Sequence, residues 1–375
     1  MTECKRCICD SEFPGIVFDD SGICNYCHKH DELDRKYPID DVEVDRIAER
    51  IKKSGAGKPF DAIVGVSGGK DSSYLLHLAN ELGIRVLAVH YDNGWDTAIA
   101  KKNIEIMTSA LQTSLLNYRV RQEEVDDLIL SFLLSHTQDA ESPTDLGLVK
   151  CMFDAAVHYD VKYILDGHCF RTEGFAPIEW SYMDGRYIKN VHNMQKNPIS
   201  LKTYPMLTLM DQIKYGIKGI KRERLLYHVD YNSTSIKEFL ESRYGWEWYG
   251  GHHLENVYTS FFGSYYRPNK LGYNGRIVEL SALVRSGQIT REQAIERMDE
   301  PQLSIEDESK IINEVKARLK IPDVLFDHIM DTSSKKTCRD YKTYRNHFKL
   351  MMPVFWLMMK TKRIPDSFYF KYCKG

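Results

Sequence analysis

Apolar and polar positions alternate in several rhythms along this chain, and each rhythm predicts an element. The run FDAIVGVS (60–67) is nearly continuous and rich in β-branched residues, the pattern of a strand buried on both faces. Ser67-Gly68-Gly69 then breaks the run. Leu75, Leu78, Ala79 and Leu82 follow on one helical face, with Gly83 placed to end the helix. IRVLAVH (84–90) is the next buried run, so these pieces predict a parallel, right-handed βαβ unit. SLLNYRVR (114–121) and VKYILDGHCF (161–170) read as further strands. The fold class that follows is α/β with a doubly wound parallel sheet.

Beyond residue 176 the texture becomes aromatic and mainly helical. Ser235 with Glu238, and Thr290 with Gln293, have capping-box spacing. IKGIKRERLLYHVDY (217–231) reads as helix-like. Near the end, KLMMPVFWLMMKTKR (349–363) is an apolar run with basic flanks, broken by Pro353 and too short to span a bilayer. Core burial is its expected fate, and peripheral contact with a membrane surface the other.

Composition narrows the class. A hydrophobic share of 43%, a charged share of 28% and a net charge of −2 describe an ordinary soluble protein without the basic excess of a nucleic-acid binder. No run reaches the roughly 18 apolar residues of a spanning helix, and the first ten residues are polar and cysteine-rich, so a cytoplasmic location is expected. The nine cysteines then point to metal or isolated thiols. Cys4 and Cys7, and Cys24 and Cys27, form two Cys-x-x-Cys pairs with sixteen residues between them, the spacing of a four-thiolate zinc site. Four thiolates leave no open position, so the zinc is read as structural. Cys9, His28 and His30 are near enough to replace one ligand. Pro14-Gly15 and Asp20-Ser21-Gly22 predict a small hairpin between the pairs. The layout expected is a zinc knuckle over 1–35, a nucleotide-binding α/β unit over 36–230 and a mainly helical acceptor- and partner-binding region over 231–375.

A glycine turn at the carboxyl end of a parallel strand, opening a helix, presents amides and a positive dipole end to an anion. Ser67, Ser72 and Ser73 add hydroxyls and Lys70 a charge, while Asp71 beside a phosphate works through Mg2+. The loop is no Walker motif: three residues separate Gly65 from Gly69, and Asp71 follows Lys70. Ser-Gly-Gly-x-Asp-Ser instead resembles the pyrophosphate loop of the PP-loop ATPases, which cut ATP between its α- and β-phosphates. Asp92, Asp166 and His168 stand at other strand ends, where open sheets bind ligands.

The cysteine doublet, SGGKDS, DNGW (92–95), YMDGRYI (182–188), YGGHHLENVYTSFF (249–262), RPNKLGYNGR (267–276) and LSALVRSGQITREQA (280–294) together resemble the N-acetyl sugar amidotransferase family. The resemblance implies an adenine nucleotide alpha hydrolase-like fold and the conversion of an acetamido group on a nucleotide-linked sugar to an acetamidino group. It places the work in bacterial surface-polysaccharide biosynthesis (lipopolysaccharide O-antigen or capsule), with ammonia from a separate glutaminase and cyclase-like partner. Under it, Ser67, Gly68, Gly69, Lys70, Asp71, Ser72, Ser73 and Asp92 bind ATP. Lys70 and Asp71 act in catalysis, with Asp166 or His168 handling the proton. Arg171, Arg186, Arg267, Lys270 and Arg276, with His252 and His253, are the candidates for the acceptor site. Neither Cys151 nor Cys169 has the glycine-flanked setting of a glutaminase nucleophile, so ammonia is expected from outside the chain. The zinc knuckle and the 217–231 stretch are the expected docking surfaces. The alternatives are a tRNA-modifying PP-loop enzyme and a scaffold that binds no ATP.

Overall fold

The computed structural model describes residues 2–177, 180, 182–361, 364 and 366–374. Five strands, β1 (Ala62–Gly65), β2 (Val86–Asp92), β3 (Ser114–Arg119), β4 (Tyr163–Leu165) and β5 (Lys221–Glu223), form one sheet in the order β3-β2-β1-β4-β5. Every neighbouring pair is parallel, with Gly65 opposite Val89 and Val64 opposite Leu165. Successive side chains point to opposite faces, and in β1, β2 and β4 they are buried on both. Ala62, Val64, Ala88 and Leu165 pack with Leu75 and Met107 on one side, while Ile63, Val89 and Ile164 pack with Phe132 and Met152 on the other. The sheet is therefore wound on both faces. Its strand order reverses between β1 and β4, so the turns after these two strands flank one crevice.

The helix Lys70–Glu81 opens directly after the β1 turn, with Gly69 as its N-cap residue. Gly68 has φ +77, and a Cβ there would stand 2.2 Å from the Ala100 carbonyl oxygen, so only glycine fits.

After β5 the described residues are helical or irregular. Tyr231, Ile236, Leu240 and Trp246 join the apolar cluster of Val64 and Leu75, and Tyr258, Phe261, Val315 and Phe348 join that of Ile63 and Val89. The core thus continues across position 230 without a break. A π-helical segment, Phe261–Leu271, contains Pro268.

Three expectations change here. The 217–231 stretch is not one helix: it contains the end of the helix Leu209–Lys218, then β5, then the short 3-10 turn Leu225–Tyr227. The helix Ser233–Tyr244 is capped by Asn232, whose side-chain oxygen accepts from the amides of Thr234 and Ser235 at 3.1 and 3.0 Å. Asparagine, three residues before Ser235, satisfies the free amides, so the Ser235–Glu238 box is not used. The Thr290–Gln293 box does form. The 349–363 run divides: Phe355 is buried, whereas Leu350, Val354, Trp356 and Leu357 are 84%, 51%, 47% and 58% exposed. Lys362 and Arg363 of that run lie outside the described residues. Among the described residues no helix is long and apolar enough to cross a membrane.

Candidate active site

The loop after β1 is tied down by side chains from both halves of the chain. Asn103 and the Trp246 indole each donate to the Gly68 carbonyl at 3.2 Å. The Ser72 hydroxyl donates to the Gly69 carbonyl at 3.1 Å. The Lys70 amide donates to the Tyr249 hydroxyl at 3.2 Å, and that of Gly69 to the Ser67 hydroxyl at 3.3 Å. Lys70 is buried, with Nζ 2.5 Å from the Ser233 hydroxyl and 3.9 Å from Asp71. Ser73 is buried in the first turn of the helix.

Asp71 accepts a 2.5 Å hydrogen bond from the Tyr231 hydroxyl. Burial alone would raise its pKa, but Lys70, His252 and that hydroxyl outweigh burial and hold it below the usual value. Glu255, with Oε1 3.4 Å from the Ser67 hydroxyl, is pushed up to about 7 by burial, and the charges of Asp71, Glu141 and Asp96 add to this. Burial and then Asp71 raise Glu173 well above its ordinary value. Burial also raises Glu279, against the pull of Lys70 and His253. Among these carboxyls Asp71 is the one held ionised, the kind of oxygen donor that suits a divalent cation beside a phosphate.

The strand-end residues are otherwise engaged. Asp166 accepts from Arg222 at 2.7 Å and Arg224 at 3.1 Å; burial works against ionisation, but the two guanidiniums outweigh it and hold the carboxyl well below its usual range. His168 places Nδ1 3.0 Å from the Tyr227 hydroxyl and Nε2 2.9 Å from the Gly174 carbonyl, and burial, with Arg224, pushes its pKa down to about 4. Asp166 is thus held ionised by two guanidiniums and both His168 nitrogens are engaged, which does not favour the proton-handling role expected of these two. Asp92 accepts from the Gly94 amide at 3.2 Å and from Arg119 at 3.1 Å.

Three of the expected acceptor-site cations have their donors engaged within the chain. Arg171 donates to Asp34 and to the Tyr227 and Tyr37 carbonyls at 2.7–2.8 Å, Lys270 is bound to His136 and the Asp331 carbonyl, and Arg276 donates to the Arg297 and Glu300 carbonyls at 2.6 and 2.7 Å. Sequence alone cannot tell a buried guanidinium that closes carbonyls from one that awaits a ligand. Arg186 lies 3.4 Å from His347, in the C-terminal region. Arg267 lies over the Phe262 ring at 4.5 Å and is near enough to act on Glu141, Asp145 and His253. His252 and His253 reach the loop: their charges act on Asp71, and their rings lie 3.7 Å apart.

Asn103, Glu173, Tyr231, Trp246, Tyr249 and Glu255 are site residues that sequence reasoning misses. The aromatic density of 244–262 signals a special surface, but no spacing rule shows which of its members face a loop far away in sequence.

At the N-terminus the four expected cysteines converge. Their Sγ atoms lie within 4.8 Å of one another, with Cys4–Cys27, Cys7–Cys24 and Cys24–Cys27 at 3.8, 3.7 and 3.6 Å. A tetrahedral ion with zinc–sulfur bonds of about 2.3 Å has edges of about 3.8 Å, so the donor set fits structural zinc. Arg285 donates to the sulfurs of Cys7, Cys9 and Cys27 at 3.2, 3.3 and 3.4 Å. Cys9 itself faces Ser281, and His28 pairs with Asp19.

Known proteins resemble separate stretches of the chain. Residues 255–355 match the family of the LPS biosynthesis protein WbpG-like C-terminal domain. The chain is 28% identical over 186 residues to one of the subunits of the glutamine-hydrolyzing GMP synthase of Thermoplasma volcanium, covering 48% of this chain and 55% of the relative. It is 24% identical over 189 residues to tRNA-specific 2-thiouridylase MnmA 2 of Fusobacterium nucleatum, covering 47% and 48%. The chain spans about half the length of these relatives. The parallel sheet and the loop at its reversal define a PP-loop protein. Within that class, the match of residues 255–355 to the WbpG-like C-terminal domain of LPS biosynthesis supports the resemblance to the N-acetyl sugar amidotransferases.

Proposed function

We propose that this protein is an ATP-dependent amidotransferase of polysaccharide biosynthesis, which turns the acetamido group of a nucleotide-linked N-acetyl sugar into an acetamidino group. An amide carbonyl is a poor electrophile and its oxygen a poor leaving group. Transfer of the adenylyl group to that oxygen corrects both: the oxygen–phosphorus bond forms as pyrophosphate leaves. Ammonia then adds to the imidate carbon and AMP departs. Amide, ATP and ammonia thus become amidine, AMP and pyrophosphate.

The observation that carries this reading is the loop itself, set at the strand reversal with Asp71 held ionised beside Lys70. In it, the 67–73 loop grips the departing pyrophosphate and Asp71 holds Mg2+, which supplies charge neutralisation. Glu255, with a pKa near 7 beside the loop, is suited to take the proton that ammonia loses. Residues 36–230 carry the nucleotide, and 231–375 bring the acceptor over it. Cys4, Cys7, Cys24 and Cys27 hold structural zinc. One relative bears the name of a component of a glutamine-hydrolysing synthase, which supports a separate ammonia donor here. The exposed Leu350, Val354, Trp356 and Leu357, beside Lys349 and Lys360, support contact with an anionic lipid surface at the inner face of the membrane.

The test is to incubate the protein with ATP, Mg2+, high ammonium and a panel of nucleotide-linked N-acetyl sugars. Sugar-stimulated release of AMP and pyrophosphate is expected, and Asp71→Ala should abolish it while remaining folded. ADP as the product would overturn the reading. Stimulation by tRNA alone would replace it with the activity named for the thiouridylase relative.

A further inference from the structure

We propose that Glu173, His252 and His253 form a second metal site, for a divalent transition ion such as Zn2+ or Mn2+, beside the phosphate loop. Their ligand atoms lie within 4.8 Å of one another, drawn from two segments nearly eighty residues apart. Bonds of about 2.0–2.2 Å bridge donors this close after small side-chain rotations. Two imidazoles and one carboxylate suit a borderline ion rather than Mg2+, which prefers oxygen alone. They also leave coordination positions open, unlike the four cysteines.

The surroundings hold Glu173 and the His252 backbone in place without occupying the ligand atoms of the two imidazoles, and His253 is exposed. One carboxylate oxygen of Glu173 accepts the Cys169 amide at 2.9 Å, the kind of outer contact that orients a metal ligand. The Gln302 side chain donates to the His252 carbonyl at 3.2 Å and steadies the loop. Among the described residues neither imidazole makes a hydrogen bond, although the rings stand 3.7 Å apart. His253 has φ +60, a backbone conformation that costs a side-chain-bearing residue energy and that recurs where geometry is fixed for binding. His252 and His253 are among the charges that act on Asp71 of the loop. The ion's open positions can take a carbonyl or phosphate oxygen of the bound substrates. This last role rests on the amidotransferase reading; the binding of the ion does not.

The test uses the full chain without ATP or acceptor. Titration with Co2+, after the cysteine cluster has been filled with zinc, should show a further equivalent per chain, with a visible band lacking thiolate charge transfer. Glu173→Gln, close in shape to the native side chain, should weaken this equivalent by at least about tenfold. His252→Ala with His253→Ala should remove it, and neither variant should change the zinc held by cysteine. Circular dichroism checks that each variant is folded. Absence of the further equivalent in the wild type, or its retention with unchanged affinity in a folded variant, would overturn the proposal and leave the ATP chemistry untouched.

Discussion

Glu255 stands out because its ordinary chemistry is inverted by its neighbours. A free glutamate is ionised far below neutrality, whereas this one reaches about 7 through burial and the nearby charges of Asp71, Glu141 and Asp96. A base works only when ionised, so AMP formation should rise with pH through about 7. Glu255→Gln should flatten that limb and lower kcat by about 10²–10⁴-fold. Stability has the opposite slope. The folded pKa lies above the ordinary 4.5, so protonation favours the folded state most fully below about 4.5, and this contribution is lost as pH rises through about 7. Without nucleotide or divalent ions, thermal melts should therefore show Glu255→Gln more stable than the wild type at pH 8 and nearly equal to it at pH 5. Nothing local in the sequence marks this glutamate. Ser67 and Asp71 belong to a compact motif that can be read directly, whereas Glu255 reaches them only because residues 231–256 fold back over the loop.

Elements were legible in proportion to their apolar density. β1 and β2 are continuous apolar runs, and both formed where the pattern put them. β5 is Lys-Arg-Glu, an edge strand of three residues held by backbone pairing to β4, so no side-chain pattern announces it. The π-helical turn around Pro268 is equally silent, because proline inside a helix ordinarily predicts a break. The helix Met352–Lys360 shows how a run can be read correctly as apolar and still divide: Phe355 enters the core while Val354, Trp356 and Leu357 face solvent. If that face meets lipid, the protein should sediment with vesicles rich in phosphatidylglycerol and not with neutral ones. Trp356→Glu should release it without altering the melting temperature. Equal recovery with both vesicle types would rule out the contact.

At the scale of the molecule, the N-terminal thiols and the C-terminal helices form one assembly. Arg285 reaches three cysteine sulfurs, Arg6 donates to the Arg285 carbonyl at 3.0 Å, and Arg291 bonds the Cys7 carbonyl at 3.2 Å and Glu3 at 2.6 Å. A zinc tetrathiolate would be an anion, and the buried Arg285 guanidinium is placed to offset its charge. Arg285→Ala should therefore yield zinc to a chromogenic chelator faster than the wild type and melt at a lower temperature; unchanged release would mean that the guanidinium only packs there. The same contact has a consequence for biogenesis. Cys7 leaves the ribosome 278 positions ahead of the arginine that shields it. At ordinary elongation rates that interval is on the order of tens of seconds. During it the nascent thiols have no counter-charge and no roof, so an oxidising pulse should damage newly made chains while sparing those already complete.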